Sequence, residues 1–60
     1  MGYNLFEVKM NGYYSGEGKK YDDMFDITTK EFAKIFLLED AIKIKRILNK
    51  KGYHFWIVSK

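Results

Sequence analysis

Cysteine is absent from the sequence, which excludes a disulfide scaffold, a thiolate zinc site and a cysteine nucleophile together and suits a reducing compartment. Histidine occurs once, at His54, so no catalytic histidine pair exists. Hydroxyl nucleophiles are scarce. Ser15, Thr28, Thr29 and Ser59 are the whole set, and none sits in a nucleophile-elbow context. Long apolar runs are missing as well: none approaches the roughly 18 residues that span a bilayer, and "MGYNLFEV" lacks the basic and apolar regions of a secretory leader. The expectation is a cytoplasmic protein without enzymatic function, cofactor, metal, small-molecule substrate or membrane partner.

What is present is apolar and aromatic. With 60 residues the chain makes one domain, residues 1–60, near the lower size limit for a core without staples. Stability must come from the 47% of residues that are apolar, or from a second copy of the chain lending its surface as a homodimer. Charge is divided unevenly. Residues 1–29 hold three lysines against five acids, whereas residues 30–60 hold eight basic residues against three acids. A basic half suits an anionic partner or a solvated helix face.

Residues 3–10 alternate Phe6, Val8 and Met10 with Leu5, Glu7 and Lys9, the period-two signature of a half-buried strand. Asn11-Gly12 follows and suits a two-residue type I′ turn, because both central positions need positive φ. "YYS" then reads as the returning strand. Residues 16–26 lack a period and read as an exposed loop. Thr28 and Glu31 have the spacing of a capping box, which predicts a helical turn from there.

A single helix from Thr29 to Lys51 fails on phase. At about 100° per residue, Phe32, Ile35 and Phe36 centre almost opposite Leu37, Ala41, Ile44 and Leu48. Two elements follow: a turn of helix at 28–32 leading into a short strand "AKIF", or a short helix throughout 28–36, and then an amphipathic helix at about 38–51. Its apolar stripe is Ala41, Ile44, Ile47 and Leu48, and Gly52 stops it. "YHFWIVSK" closes the chain as a strand apolar on both sides, which suits a central position. The predicted fold is α+β, an antiparallel-dominated sheet of three to four strands in the order β-β-β-α-β with one helix on one face.

Glycines and lysines in "GYYSGEGKK" raise the question of a phosphate loop. The Walker spacing fails, because Tyr13 stands where its first glycine belongs and Lys20 where its hydroxyl belongs. The dinucleotide fingerprint fails at Tyr21. Asp22, Asp23 and Asp26 cluster without a calcium-loop pattern, and an enzyme would need a pocket enclosing Asp22, Asp26 and His54. Two surfaces remain. Tyr13, Tyr14, Tyr53 and Trp56 exceed what a small core consumes and suit a protein-binding or self-associating sheet face. Lys43, Arg46 and Lys50 share one side of the predicted helix and suit a nucleic-acid backbone.

The segments "NGYYSGEGK", "AKIF", "EDAIKIKRIL" and "KKGYHFWIV" together resemble small uncharacterised domains of phages and mobile elements in low-GC Gram-positive bacteria. That resemblance implies a sheet-plus-helix unit in which "AKIF" is a strand feeding the helix, and it carries no activity to any residue. It implies a phage accessory protein, acting in the host cytoplasm, that binds and modulates a host or defence component, anti-CRISPR-type inhibitors included.

Overall fold

The computed structural model describes residues 2–16 and 25–60. Four strands, β1 (Tyr3–Glu7), β2 (Gly12–Tyr14), β3 (Ile27–Thr28) and β4 (Phe55–Ser59), form one antiparallel sheet in the order β3-β2-β1-β4. Between β3 and β4 lie a 3₁₀ turn, Lys30–Phe32, and the helix α1, Leu38–Lys50, which packs on one face of the sheet. The α+β class and the β-β-β-α-β order agree with the sequence reading.

Alternation decides what α1 covers. Leu5 of β1 and Phe55 of β4 face the helix and meet Ala41 and Leu48 there, with Phe36, in a core whose members are at most 6% exposed. Tyr14, Phe25 and Tyr53 add a ring cluster at its margin: Tyr14 lies 5.4 Å from Phe25 and 6.0 Å from Phe55, and Phe25 lies 5.0 Å from Tyr53. Aromatic pairs at such separations contribute roughly 0.5–1.5 kcal/mol beyond area burial.

The helix begins where the phase break puts it. Leu37 is its N-cap with extended backbone, Glu39 and Asp40 sit in its first turn and Lys50 in its last, in the sense that suits the macrodipole. Gly52, at φ +106°, ends it in a Schellman arrangement: the Tyr53 N–H donates to the Leu48 carbonyl at 3.3 Å and the Gly52 N–H to the Asn49 carbonyl at 3.1 Å. Of the expected stripe, Ala41 and Leu48 are buried and Ile44 half-buried, but Ile47 is exposed, since it lies on the flank of the packed face.

Four expectations are corrected. The β1–β2 connection is not a two-residue Asn-Gly turn: Glu7 pairs with Gly12, so residues 8–11 form a four-residue loop that Asn11 alone closes at φ +54°. Gly12 is a strand residue whose missing side chain makes room for Ile27; a Cβ there would come within 2.0 Å of the Ile27 Cγ2. The third strand is Ile27–Thr28 rather than "AKIF". Thr28 pairs with Tyr13, so it is not a cap, and the 3₁₀ turn starts at Lys30 behind Thr29 without a side-chain cap. Residues 33–36 run alongside the sheet instead. The Lys34 N–H donates to the Tyr14 carbonyl at 3.0 Å, Asn4 Nδ2 donates to the Lys34 carbonyl at 3.0 Å, and only Phe36 makes a two-way bridge, with Tyr3. Finally, β4 is an edge strand, not a central one. Its two-sided apolar character has a different origin, a core-facing set of Phe55 and Ile57 and an outward Trp56 that is 62% exposed.

Candidate interaction surfaces

The sheet face turned away from α1 carries an aromatic row. Tyr13 of β2 and Trp56 of β4 are both directly opposite Phe6 of β1, so the three side chains stand on one face of three adjacent strands. Phe6 and Tyr13 meet edge to face with ring centroids 5.0 Å apart, and both are half-buried. Val58 of β4 and Thr28 of β3 share the face, through their pairing with Asn4 and Tyr13. Trp56 is the prominent member, an exposed ring on a rigid strand, which is the form an interface anchor takes.

The four aromatics expected to act together are thus divided. Tyr13 and Trp56 share the open face, whereas Tyr14 and Tyr53 turn to the helix side and join the core cluster. Tyr14 stacks on Phe25 and borders a pocket of about 210 Å³ with Ile44, Ile47 and Leu48, and burial pushes its phenol above the ordinary value of 10.0. Phe6 takes the place of Tyr14 in the row. Its alternation with Leu5 was visible in the sequence, but its two cross-strand neighbours depend on pairings that no local signal specifies.

Lys43, Arg46 and Lys50 are all exposed on the side of α1 opposite Ala41 and Leu48. Glu39 stands on the same outward side at the i, i+4 position before Lys43, so the positive stripe is interrupted at its N-terminal end. Of the acidic loop, Asp22 and Asp23 lie outside the described residues, as does Gly18 of the glycine loop, while Asp26 is exposed. His54 lines a shallow cleft of about 280 Å³ with Lys45, Asn49, Phe55 and Trp56.

Two polar side chains that the sequence does not single out, Glu7, which is buried, and Asn49, which is half-buried, set this end of the sheet. Glu7, 1% exposed, accepts the Met10 N–H on Oε1 at 2.8 Å and the His54 N–H on Oε2 at 2.5 Å, so it shapes the 8–11 loop and fixes the approach to β4. Burial pushes the carboxyl up, yet the N–H groups of His54, Met10 and Lys9 together with the charge of the His54 ring hold it below its ordinary 4.5. Asn49 imitates a neighbouring strand: Oδ1 accepts the Phe55 N–H at 2.8 Å and Nδ2 donates to the Phe55 carbonyl at 3.4 Å. No family model, curated protein or solved structure matches this chain.

Proposed function

We propose that this chain is a small non-enzymatic protein-binding module whose contact surface is the sheet face turned away from α1. The observation that carries the reading is the row Tyr13–Phe6–Trp56, aligned across three strands and ending in a tryptophan that is 62% exposed. A large exposed ring on a rigid scaffold loses little conformational freedom on binding, and tryptophan and tyrosine dominate the residues that hold interfaces together. The likeness to small phage and mobile-element domains supports a role as an accessory protein that modulates or inhibits a host or defence component, of the anti-CRISPR type among others.

The test is affinity capture from the producing host with the parent chain, Tyr13→Ala and Trp56→Ala, each checked by circular dichroism, with and without nuclease. Loss of the captured protein in both folded variants, unaffected by nuclease, is expected. Retention in both sinks the reading. A second reading rests on the common outward side of Lys43, Arg46 and Lys50, which suits contact with nucleic-acid phosphates. Fluorescence anisotropy with labelled DNA and RNA separates the two, because a phosphate-tracking helix binds at low salt and a sheet-face module does not require it.

A further inference from the structure

The hydrogen-bond register of β4 identifies which of its backbone groups lack a neighbour. Val8 N–H donates to the His54 carbonyl and Lys60 N–H to the Gly2 carbonyl, both at 3.0 Å, so the even-numbered residues of β4 point their backbone groups at β1. Phe55, Ile57 and Ser59 therefore point theirs outward. Asn49 occupies the edge at Phe55, and Lys30 Nζ donates to the Ser59 carbonyl at 3.2 Å. The N–H and C=O of Ile57, between them, have no partner among the described residues.

A flank of α1 that is apolar in its N-terminal half and polar in its C-terminal half lies beside this open position. Leu38, Ile42, Lys45 and Asn49 recur at helical spacing on one flank of α1, and Asn49 is bonded to the outer edge of β4. Leu38 is 45% and Ile42 41% exposed. No residue of β4 is charged or proline, so the sequence devices that blunt an edge strand are missing. The other edge, β3, is two residues long and protected by its brevity.

We propose that this edge pairs with itself: two copies join antiparallel about a two-fold axis through Ile57, merging their sheets into one. Each Ile57 exchanges its N–H and C=O with its counterpart, and Trp56 packs against Val58 of the other copy on the open face, in the close pairing of non-hydrogen-bonded neighbours. Such an interface is self-complementary, as two-fold symmetry requires. Asn49 confines the pairing to Trp56, Ile57 and Val58. The area then sets the strength: the tryptophan brings roughly 150–250 Å², and with Leu38, Ile42, Ile57 and Val58 the patch falls short of the roughly 800 Å² per partner of a standard interface. The dimer is accordingly weak and concentration-dependent.

Charge gives a further signature. The helix runs from beside Phe36, which bridges Tyr3 opposite Ser59, to Asn49 beside Phe55, so it is antiparallel to β4. With rises of about 1.5 Å per helical and about 3.3 Å per strand residue, the level of Ile57 falls near Lys45. The two Lys45 ammonium groups approach each other near the axis, and added salt, which screens them, tightens the dimer.

The chain is short enough for total synthesis, so the edge is testable without disturbing a side chain. Sedimentation equilibrium from about 10 μM to about 1 mM is expected to show a monomer–dimer equilibrium for the parent, strengthened by salt. N-methylation of Ile57 is expected to weaken it at least about tenfold, a loss of about 1.4 kcal/mol, with the monomer's circular dichroism intact; Ile42→Glu is expected to do the same from the helix side. A parent that stays monomeric throughout, with the Ile57 amide exchanging freely, overturns the proposal and leaves the edge to a foreign strand. A dimer indifferent to N-methylation, or one that salt dissociates, overturns it too. The proposal shares Trp56 with the protein-binding reading, but their failures are distinguishable, since Tyr13 stands two strands away from the paired edge and N-methylation of Ile57 leaves the aromatic row in place.

Discussion

Glu7 shows how a single residue can be decisive yet unreadable from sequence. In the period-two pattern it looks like an ordinary solvent-side glutamate, but it shares its face with Leu5 and is 1% exposed, with both oxygens engaged by backbone N–H groups. A carboxylate held below its ordinary value adds stability that is fully present above 4.5 and disappears as pH falls through the lowered folded value. Thermal melts between about pH 6 and about pH 3 are therefore expected to show the parent losing more stability than Glu7→Gln. At neutral pH the same substitution sets an amide N–H₂ against one of two backbone donors and is expected to destabilise by about 1–3 kcal/mol. If the parent and Glu7→Gln have parallel pH profiles, the carboxylate is not the group that titrates. Alternation groups Glu7 with Leu5 but does not show that theirs is the core side; the two donors come from residues 3 and 47 positions away, and only the first is local enough to be anticipated.

At the scale of elements, the glycines separate what local chemistry dictates from what packing adds. Gly52 is legible as the helix stop because its role, positive φ one residue past the C-cap Lys51, is local. By the same local logic Gly12 reads as half of a turn, whereas its place is decided by Ile27, a residue of the distant β3. The two therefore answer differently to the same change. Gly52→Ala meets no atom within 4 Å but forces an alanine to φ +106°, for which about 1 kcal/mol or more is expected. Gly12→Ala drives a methyl into the Ile27 side chain and is expected to lose about 1–3 kcal/mol. Ile27→Ala should recover much of that second loss in a double-mutant cycle read by urea denaturation and none of the first. Equal coupling of both glycines to Ile27 would contradict this account. The same division explains the strands: the phase break and α1 follow from periodicity, while the two-residue β3 and the edge position of β4 depend on strand order, which no window of neighbouring residues encodes.

For the whole molecule, size makes core and surface respond in opposite ways. A chain of 60 residues has about 3–9 kcal/mol of stability at the usual roughly 0.05–0.15 kcal/mol per residue. Leu48, 1% exposed, touches the centre of the core, and Leu48→Ala is expected to remove about 2–5 kcal/mol, a large share of that total. Trp56 is the larger side chain, yet it is 62% exposed and rests on a strand whose other face is the core, so Trp56→Ala is expected to change stability by no more than about 1 kcal/mol. Urea titrations followed by far-ultraviolet circular dichroism measure both without relying on tryptophan fluorescence. A dilute sample is needed, because association of the folded form stabilises it by mass action and would mask part of the Leu48 loss. The contrast bears on function directly: a large aromatic residue that the fold does not need is available for contact, whereas one whose removal unfolds the chain belongs to the core. If Trp56→Ala destabilises as much as Leu48→Ala does, the ring is a structural residue and the open face loses its anchor.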